Sequence, residues 1–137
     1  MDVMVKQAAR ARLAAILNQQ ISIPVTLRYD SADPLAVHID FPGLVSRDGK
    51  EMTWSFAREL LANGLRHPTG MGDVHIWPSG RAHTVMEFQT PEGRASATFD
   101  TPALHRFLLR SYRVVEQGTE VLGPALERHL TALLDEV

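Results

Sequence analysis

The chain has no cysteine in 137 residues. Disulfides, thiolate metal sites and cysteine nucleophiles are thereby excluded, and with no demand for an oxidising compartment the expectation is a cytoplasmic protein. No run approaches the ~20 apolar residues needed to span a bilayer. Arginines interrupt the opening segment "MDVMVKQAARARLAAIL" where a secretory signal would be continuously apolar. Neither membrane insertion nor export is expected. Basic charge is not in excess: 14 Lys and Arg stand against 16 Asp and Glu, a net charge of -2. A nucleic-acid role would therefore need a local patch. Aromatic residues make up only 7%, a poor supply of the stacking platforms that single-strand binders use. Repeats, low-complexity tracts and Pro/Ser linkers are missing too, so residues 1–137 read as one domain, long enough to bury a core.

What is present is a clear strand code. "ISIPVTLRY" sets Ile21, Ile23, Val25, Leu27 and Tyr29 at period two, and Pro24 points to an edge position. "SADP" turns the chain into "LAVHIDF", where Leu35, Val37, Ile39 and Phe41 alternate with polar neighbours, predicting an antiparallel pair. A turn at Asp48-Gly49 leads to a third strand with Met52, Trp54 and Phe56 on one face. From Phe56 to Asn63 the spacing becomes helical: Phe56 and Leu60, and Ala57 and Leu61, share a side, while Arg58, Glu59 and Asn63 are expected to face water. Gly64 then suits a left-handed cap with Leu65 folding back on Leu60.

"GDVHIWP", "HTVMEFQT" and "RASATF" predict a second run of strands, turned by "PSGRA" and "PEG". "DTPALHRFLLRSYRVV" is a helix with Thr101 as N-cap, Pro102 in first place and an apolar stripe of Leu104, Phe107, Leu108 and Tyr112. Gly123-Pro124 opens a final helix carrying Leu126, Leu130, Leu133, Leu134 and Val137. The N-terminal "QAARARLAAIL" is ambiguous. Its strong helix formers favour a helix, yet Val3, Val5, Ala9, Ala11 and Leu13 alternate as in a strand.

The segment "GLRHPTGMGDVHIWPSG" invites a catalytic reading that its details refuse. A Walker loop needs Lys-Ser or Lys-Thr after its second glycine, and a dinucleotide fingerprint opens a helix. "TGMGDV" follows a helix and enters a strand. His67, His75 and His83 recur every eight residues with Asp73 among them, a spacing that forces no common metal site. No GxSxG elbow is present, Ser79 falls in "WPSGR", which reads as a hairpin turn, and Asp30 and Asp33 flank "DSADP", where Asp commonly closes turns. No catalytic, cofactor or metal residue is therefore assigned, and an enzyme is not expected. The segment reads as a helix cap at Gly64-Leu65, a connection through Gly72, a strand from Asp73 to Trp77 and a turn at Pro78 to Gly80.

"LRYDSADPLAVHIDF" (Leu27 to Phe41), "WSFARELLANGL" (Trp54 to Leu65), "PTGMGDVHIWPS" (Pro68 to Ser79) and "PEG" (Pro91 to Gly93) closely resemble the SsgA-like protein family of actinomycetes, in order and in spacing over roughly residues 5 to 110. The resemblance implies an α+β fold of two antiparallel β-sheets with a short helix between strand groups and C-terminal helices, similar to the whirly class of single-strand nucleic-acid binders and assembled as a homotrimer. It also implies that the N-terminal segment is a long strand. The implied role is non-enzymatic: a regulator of sporulation-specific cell division that positions or activates the FtsZ ring, alone or with other SsgA-like proteins, at the division septum. Arg28, Tyr29, Asp30 and Arg58 match the family pattern and are candidate partner-binding residues, with fold maintenance as the plainer role for all four. Arg106, Arg110 and Arg113 line one side of a helix and suit an acidic partner, or simply a solvated face. The C-terminal helix and edge strands are candidates for self-association. The alternative role, a single-stranded nucleic-acid-binding module, would draw on the same arginines with Lys6, Arg10 and Arg12.

Overall fold

The computed structural model describes residues 2–14, 20–43, 49–91 and 93–120. Its elements are β1 (Met4–Ala14), β2 (Gln20–Asp30), β3 (Ala36–Phe41), β4 (Met52–Ala57), α1 (Arg58–Gly64), β5 (Thr69–Met71), β6 (Val74–Ser79), β7 (His83–Thr90), β8 (Gly93–Asp100) and α2 (Thr101–Val114). Among the described residues the fold is α+β, mostly antiparallel sheet with two helices. The final helix expected from Gly123-Pro124, together with Asp48 of the predicted turn and Glu92 of "PEG", lies outside the described residues.

Two separate sheets were expected, but the strands form one ladder in the order β4-β3-β2-β1-β8-β7-β6-β5. The halves before and after α1 are joined where Ala11, Arg12 and Leu13 of β1 face Phe99, Thr98 and Ala97 of β8. The physical reason is the free edge of β1: β2 satisfies only one side of it, and β8 takes up the other. The sheet nevertheless curls back on itself. Trp54 of β4 and Phe88 of β7 stand with ring centroids 3.6 Å apart, although four strands lie between them and a flat sheet would hold them roughly 24 Å apart. Between the facing halves lie Leu27, Tyr29, Val37, Ile39, Phe41, Ile76, Met86, Ala97 and Phe99, all fully buried. The period-two pattern of the sequence thus faces inward.

The N-terminal segment is a strand, against its helix propensity. Every residue from Met4 to Ala14 pairs with β2, from Met4 opposite Asp30 to Ala14 opposite Gln20. Eleven such pairs outweigh propensity differences of a few tenths of a kcal/mol per residue. Pro24 sits in an interior strand, not at an edge as expected. Its stretch of β2 is nevertheless open on one side, because β3 pairs with β2 only at Thr26, Leu27 and Arg28.

Gly64 is a second correction. It is helical and does not take the left-handed conformation. A Cβ there would come within 2.5 Å of the Ile76 side chain, so glycine is needed for the close approach of α1 to β6. The helix ends instead through the carbonyl of Asn63, which accepts the amides of Arg66 and His67, each at 3.1 Å. Thr101 is not an N-cap: it is the first residue of α2, and its hydroxyl bonds that of Thr84 at 2.8 Å. Within "GLRHPTGMGDVHIWPSG", the expected connection contains β5, the chain turns at Gly72 with φ of 60°, and Pro78 and Ser79 belong to β6, leaving the next turn to Gly80.

Candidate functional site

Arg58, expected in water, is the largest fully buried side chain among the described residues and is only 1% exposed. As the first residue of α1 it points along the helix start toward the end of α2. Its guanidinium lies between two tyrosine rings, 4.7 Å from the centroid of Tyr29 and 4.9 Å from that of Tyr112, a cation–π sandwich that a desolvated arginine favours. Nη1 donates to the carbonyls of Ser111 at 3.2 Å and Val115 at 2.8 Å, and Nη2 donates to Glu120 Oε1 at 2.6 Å. The hydrogen bond from Arg58 holds the Glu120 carboxyl below its ordinary value. Burial pushes the hydroxyls of Tyr29 and Tyr112 up, against the opposing charge of Arg58. Nε alone is buried without a partner among the described residues. A cleft of 210 Å³ opens beside the cluster, bounded by Glu59, Gln117 and Gly118. Arg58 is thus a clasp that ties the chain after α2 to the body.

The three other family-pattern candidates hold the β2–β3 corner. Arg28 makes a bidentate pair with Asp40, Nε to Oδ2 at 2.9 Å and Nη2 to Oδ1 at 3.0 Å. That hydrogen bonding raises the arginine and lowers the aspartate from their ordinary values. Tyr29 is fully buried and donates its hydroxyl to the Pro34 carbonyl at 2.9 Å. Asp30 Oδ1 accepts the Ala32 amide at 2.9 Å, closing the turn as its sequence context predicted. Asp33 lies 3.4 Å from His38 Nε2 instead. Each of these contacts serves the fold, and Tyr29 and Arg58 present no open surface.

Arg106, Arg110 and Arg113 come together as expected on the exposed side of α2, above β1. With Gln7, Ala8 and Leu109 they line a groove of 450 Å³. Arg110 Nη1 is held by the Lys6 carbonyl at 3.3 Å and Gln7 Oε1 at 3.2 Å, and Gln7 Nε2 donates to the Ala103 carbonyl at 2.8 Å. Leu109 is 47% exposed within this set. It was legible in the sequence: positions 106, 109, 110 and 113 follow the i, i+3, i+4, i+7 spacing of one helix face. Glu120 carried no such signal, since 62 residues separate it from Arg58.

The histidines do not converge. His67 bonds the hydroxyl of Thr69 at 3.1 Å, His83 lies 3.6 Å from Asp100, and His75 packs over Gly70. Among the described residues no group of three metal-ligating side chains occurs, and no helix is long and apolar enough to cross a membrane.

Comparison with known proteins places these features. Residues 23–120 match the family model described as Streptomyces sporulation and cell division protein, SsgA. The sporulation-specific cell division protein SsgB of Streptomyces coelicolor is 41% identical over 130 residues, 91% of each chain. The SsgB of Salinispora tropica is 41% identical over 112 residues, 80% of this chain and 78% of its own. Among solved structures, an SsgB studied for mutations that correlate with longitudinal cell division during sporulation of Streptomyces coelicolor superposes with a TM-score of 0.77 at 37% identity, covering 88% of this chain and 94% of that one. The SsgA-like sporulation-specific cell division protein of Thermobifida fusca gives 0.77 at 29% identity over 98% and 95%. On the matched family model and on relatives of this identity and coverage, the chain belongs to the SsgA family of sporulation and cell division proteins.

Proposed function

We propose that this chain is a non-enzymatic regulator of sporulation-specific cell division, acting through protein–protein contacts to select or activate the septum site. The observation that carries the reading is the 41% identity to SsgB across 91% of both chains. In this reading the protein is cytoplasmic, concentrates at the division septum, assembles as a homotrimer and recruits or positions the FtsZ ring, with other SsgA-like proteins as further partners. In this reading the fold is also whirly-like, with the two halves of the curled sheet taking the place of two sheets, and the contact between Trp54 and Phe88 across the curl supports it. Arg28 and Asp30 belong to the partner surface only through their exposed edges, while Tyr29 and Arg58 support it from within.

The decisive experiment is deletion of the gene in a sporulating actinomycete combined with affinity capture of the tagged chain. Loss of sporulation septa and co-purification of FtsZ are expected. Normal septa after deletion sink the reading. Light scattering of the purified protein tests the trimer. The nucleic-acid alternative rests on the arginine groove and predicts a salt-sensitive mobility shift with single-stranded oligonucleotides. Absence of a shift at low salt removes it.

A further inference from the structure

We propose that the groove between β1 and α2 docks an extended acidic peptide segment of a protein partner, with carboxylates on Arg106, Arg110 and Arg113 and an apolar side chain seated on Leu109. The inference rests on the reading of the chain as a protein-binding regulator and specifies which surface does the binding.

The charge distribution is the first argument. The chain as a whole is net acidic at -2, yet α2 carries three arginines and no carboxylate. Arginines at i, i+4 and i+7 repel one another on a helix, a cost of a few tenths of a kcal/mol per pair. Of the seven other described arginines, four meet carboxylates, Arg12 with Asp100, Arg28 with Asp40, Arg58 with Glu120 and Arg94 with Glu87, while Arg10, Arg66 and Arg81 stand singly and form no such cluster on one helix face. No carboxylate answers Arg106, Arg110 or Arg113 among the described residues. Arg110 is nevertheless fixed by the Lys6 carbonyl and Gln7, so part of the ordering cost of binding is already met.

The second argument is shape. Arg106 and Arg110 are separated by roughly 6 Å along the helix axis, close to the roughly 6.7 Å between alternate residues of an extended chain. Carboxylates on alternate residues therefore match these two arginines, and Arg113 reaches the next. Leu109, 47% exposed between them, offers the apolar contact that gives such a peptide a register. A single-stranded nucleic acid fits less well, because among the described residues no aromatic ring lines the groove for bases to stack on.

The test is fluorescence anisotropy of the full chain with a labelled synthetic peptide bearing aspartate at alternate positions and one leucine. The same peptide with asparagine and a labelled oligothymidine run in parallel. Binding of the aspartate peptide is expected to fall by about tenfold on change to asparagine, and equally in the Arg106→Glu/Arg113→Glu chain. Leu109→Ser is expected to weaken it about threefold. The Arg106→Gln/Arg113→Gln chain, with circular dichroism melting, serves where charge reversal disturbs folding. Equal binding of the asparagine peptide, indifference to both arginine variants, or preference for the oligonucleotide overturns the proposal. A strain with the charge-reversed groove that septates normally also overturns it while leaving the regulator reading intact. Normal septa after deletion of the whole gene are the separate failure of that reading.

Discussion

Arg58 shows how one side chain can carry a local architecture. Its head group is stacked between Tyr29 and Tyr112 and bonded to Glu120 and two carbonyls, so truncation strands several buried polar groups at once. Arg58→Ala is expected to destabilise the protein by about 3 kcal/mol, measured by urea denaturation. Arg58→Lys is expected to recover little, because a lysine ammonium lacks both the planar face for the two rings and the forked donors for separate acceptors. Recovery of full stability by lysine would reduce the cluster to a point charge. Gly64 makes the complementary case. Gly64→Ala drives a Cβ against the β-branched Ile76, 2.5 Å away, and is expected to cost about 2 kcal/mol in thermal melts. Gly72, where a Cβ meets nothing within 4 Å but φ is 60°, is expected to lose about 1 kcal/mol on change to alanine, from backbone strain alone.

At the scale of elements, the link between α2 and the body runs through the Arg58–Glu120 pair. The folded state holds Glu120 below its ordinary value of 4.5, chiefly through the hydrogen bond from Arg58. A lowered carboxyl contributes stability that is present above the unfolded value and is lost as pH falls through the folded one. Acidification below 4.5 is therefore expected to release the chain around Gly118 to Glu120. NMR amide signals of Gly118 and Thr119 should move toward random-coil positions before the sheet melts. Asp40, lowered from 3.8 mainly by Arg28, supports the β2–β3 corner with the same sign and is lost in the same direction. An Arg58→Met chain that keeps an unchanged acid transition at Gly118 would refute the role given to the pair.

For the whole molecule, closure of the curled sheet is the decisive event. Phe41, Trp54 and Phe88 form a continuous aromatic contact, at 4.3 Å and 3.6 Å between centroids, that ties β3 and β4 to β7. Phe88→Ala is expected to cost about 4 kcal/mol. A double-mutant cycle of Phe88→Ala with Trp54→Phe is expected to return a coupling of about 1 kcal/mol. Additivity within error would mean that the halves do not stabilise each other there.

Local chemistry was legible along much of this chain. Period-two alternation located β2, β3 and β4, turn signals set off β6, β7 and β8, and the Asp30 turn, Pro102 in the first turn of α2 and the buried stripe of Leu104, Phe107 and Leu108 followed from short-range physics. The arginine face of α2 was visible because helical spacing alone puts Arg106, Arg110 and Arg113 on one side. The N-terminal strand, the joining of the two halves at β1 and β8, the small residue at Gly64 and the buried state of Arg58 were settled only in three dimensions. Each depends on a partner distant in the sequence: β2 for β1, β8 for its other edge, Ile76 for Gly64, and Tyr29, Tyr112 and Glu120 for Arg58. Propensity and periodicity act over a few residues, whereas burial of a charge is decided by which distant groups arrive to satisfy it.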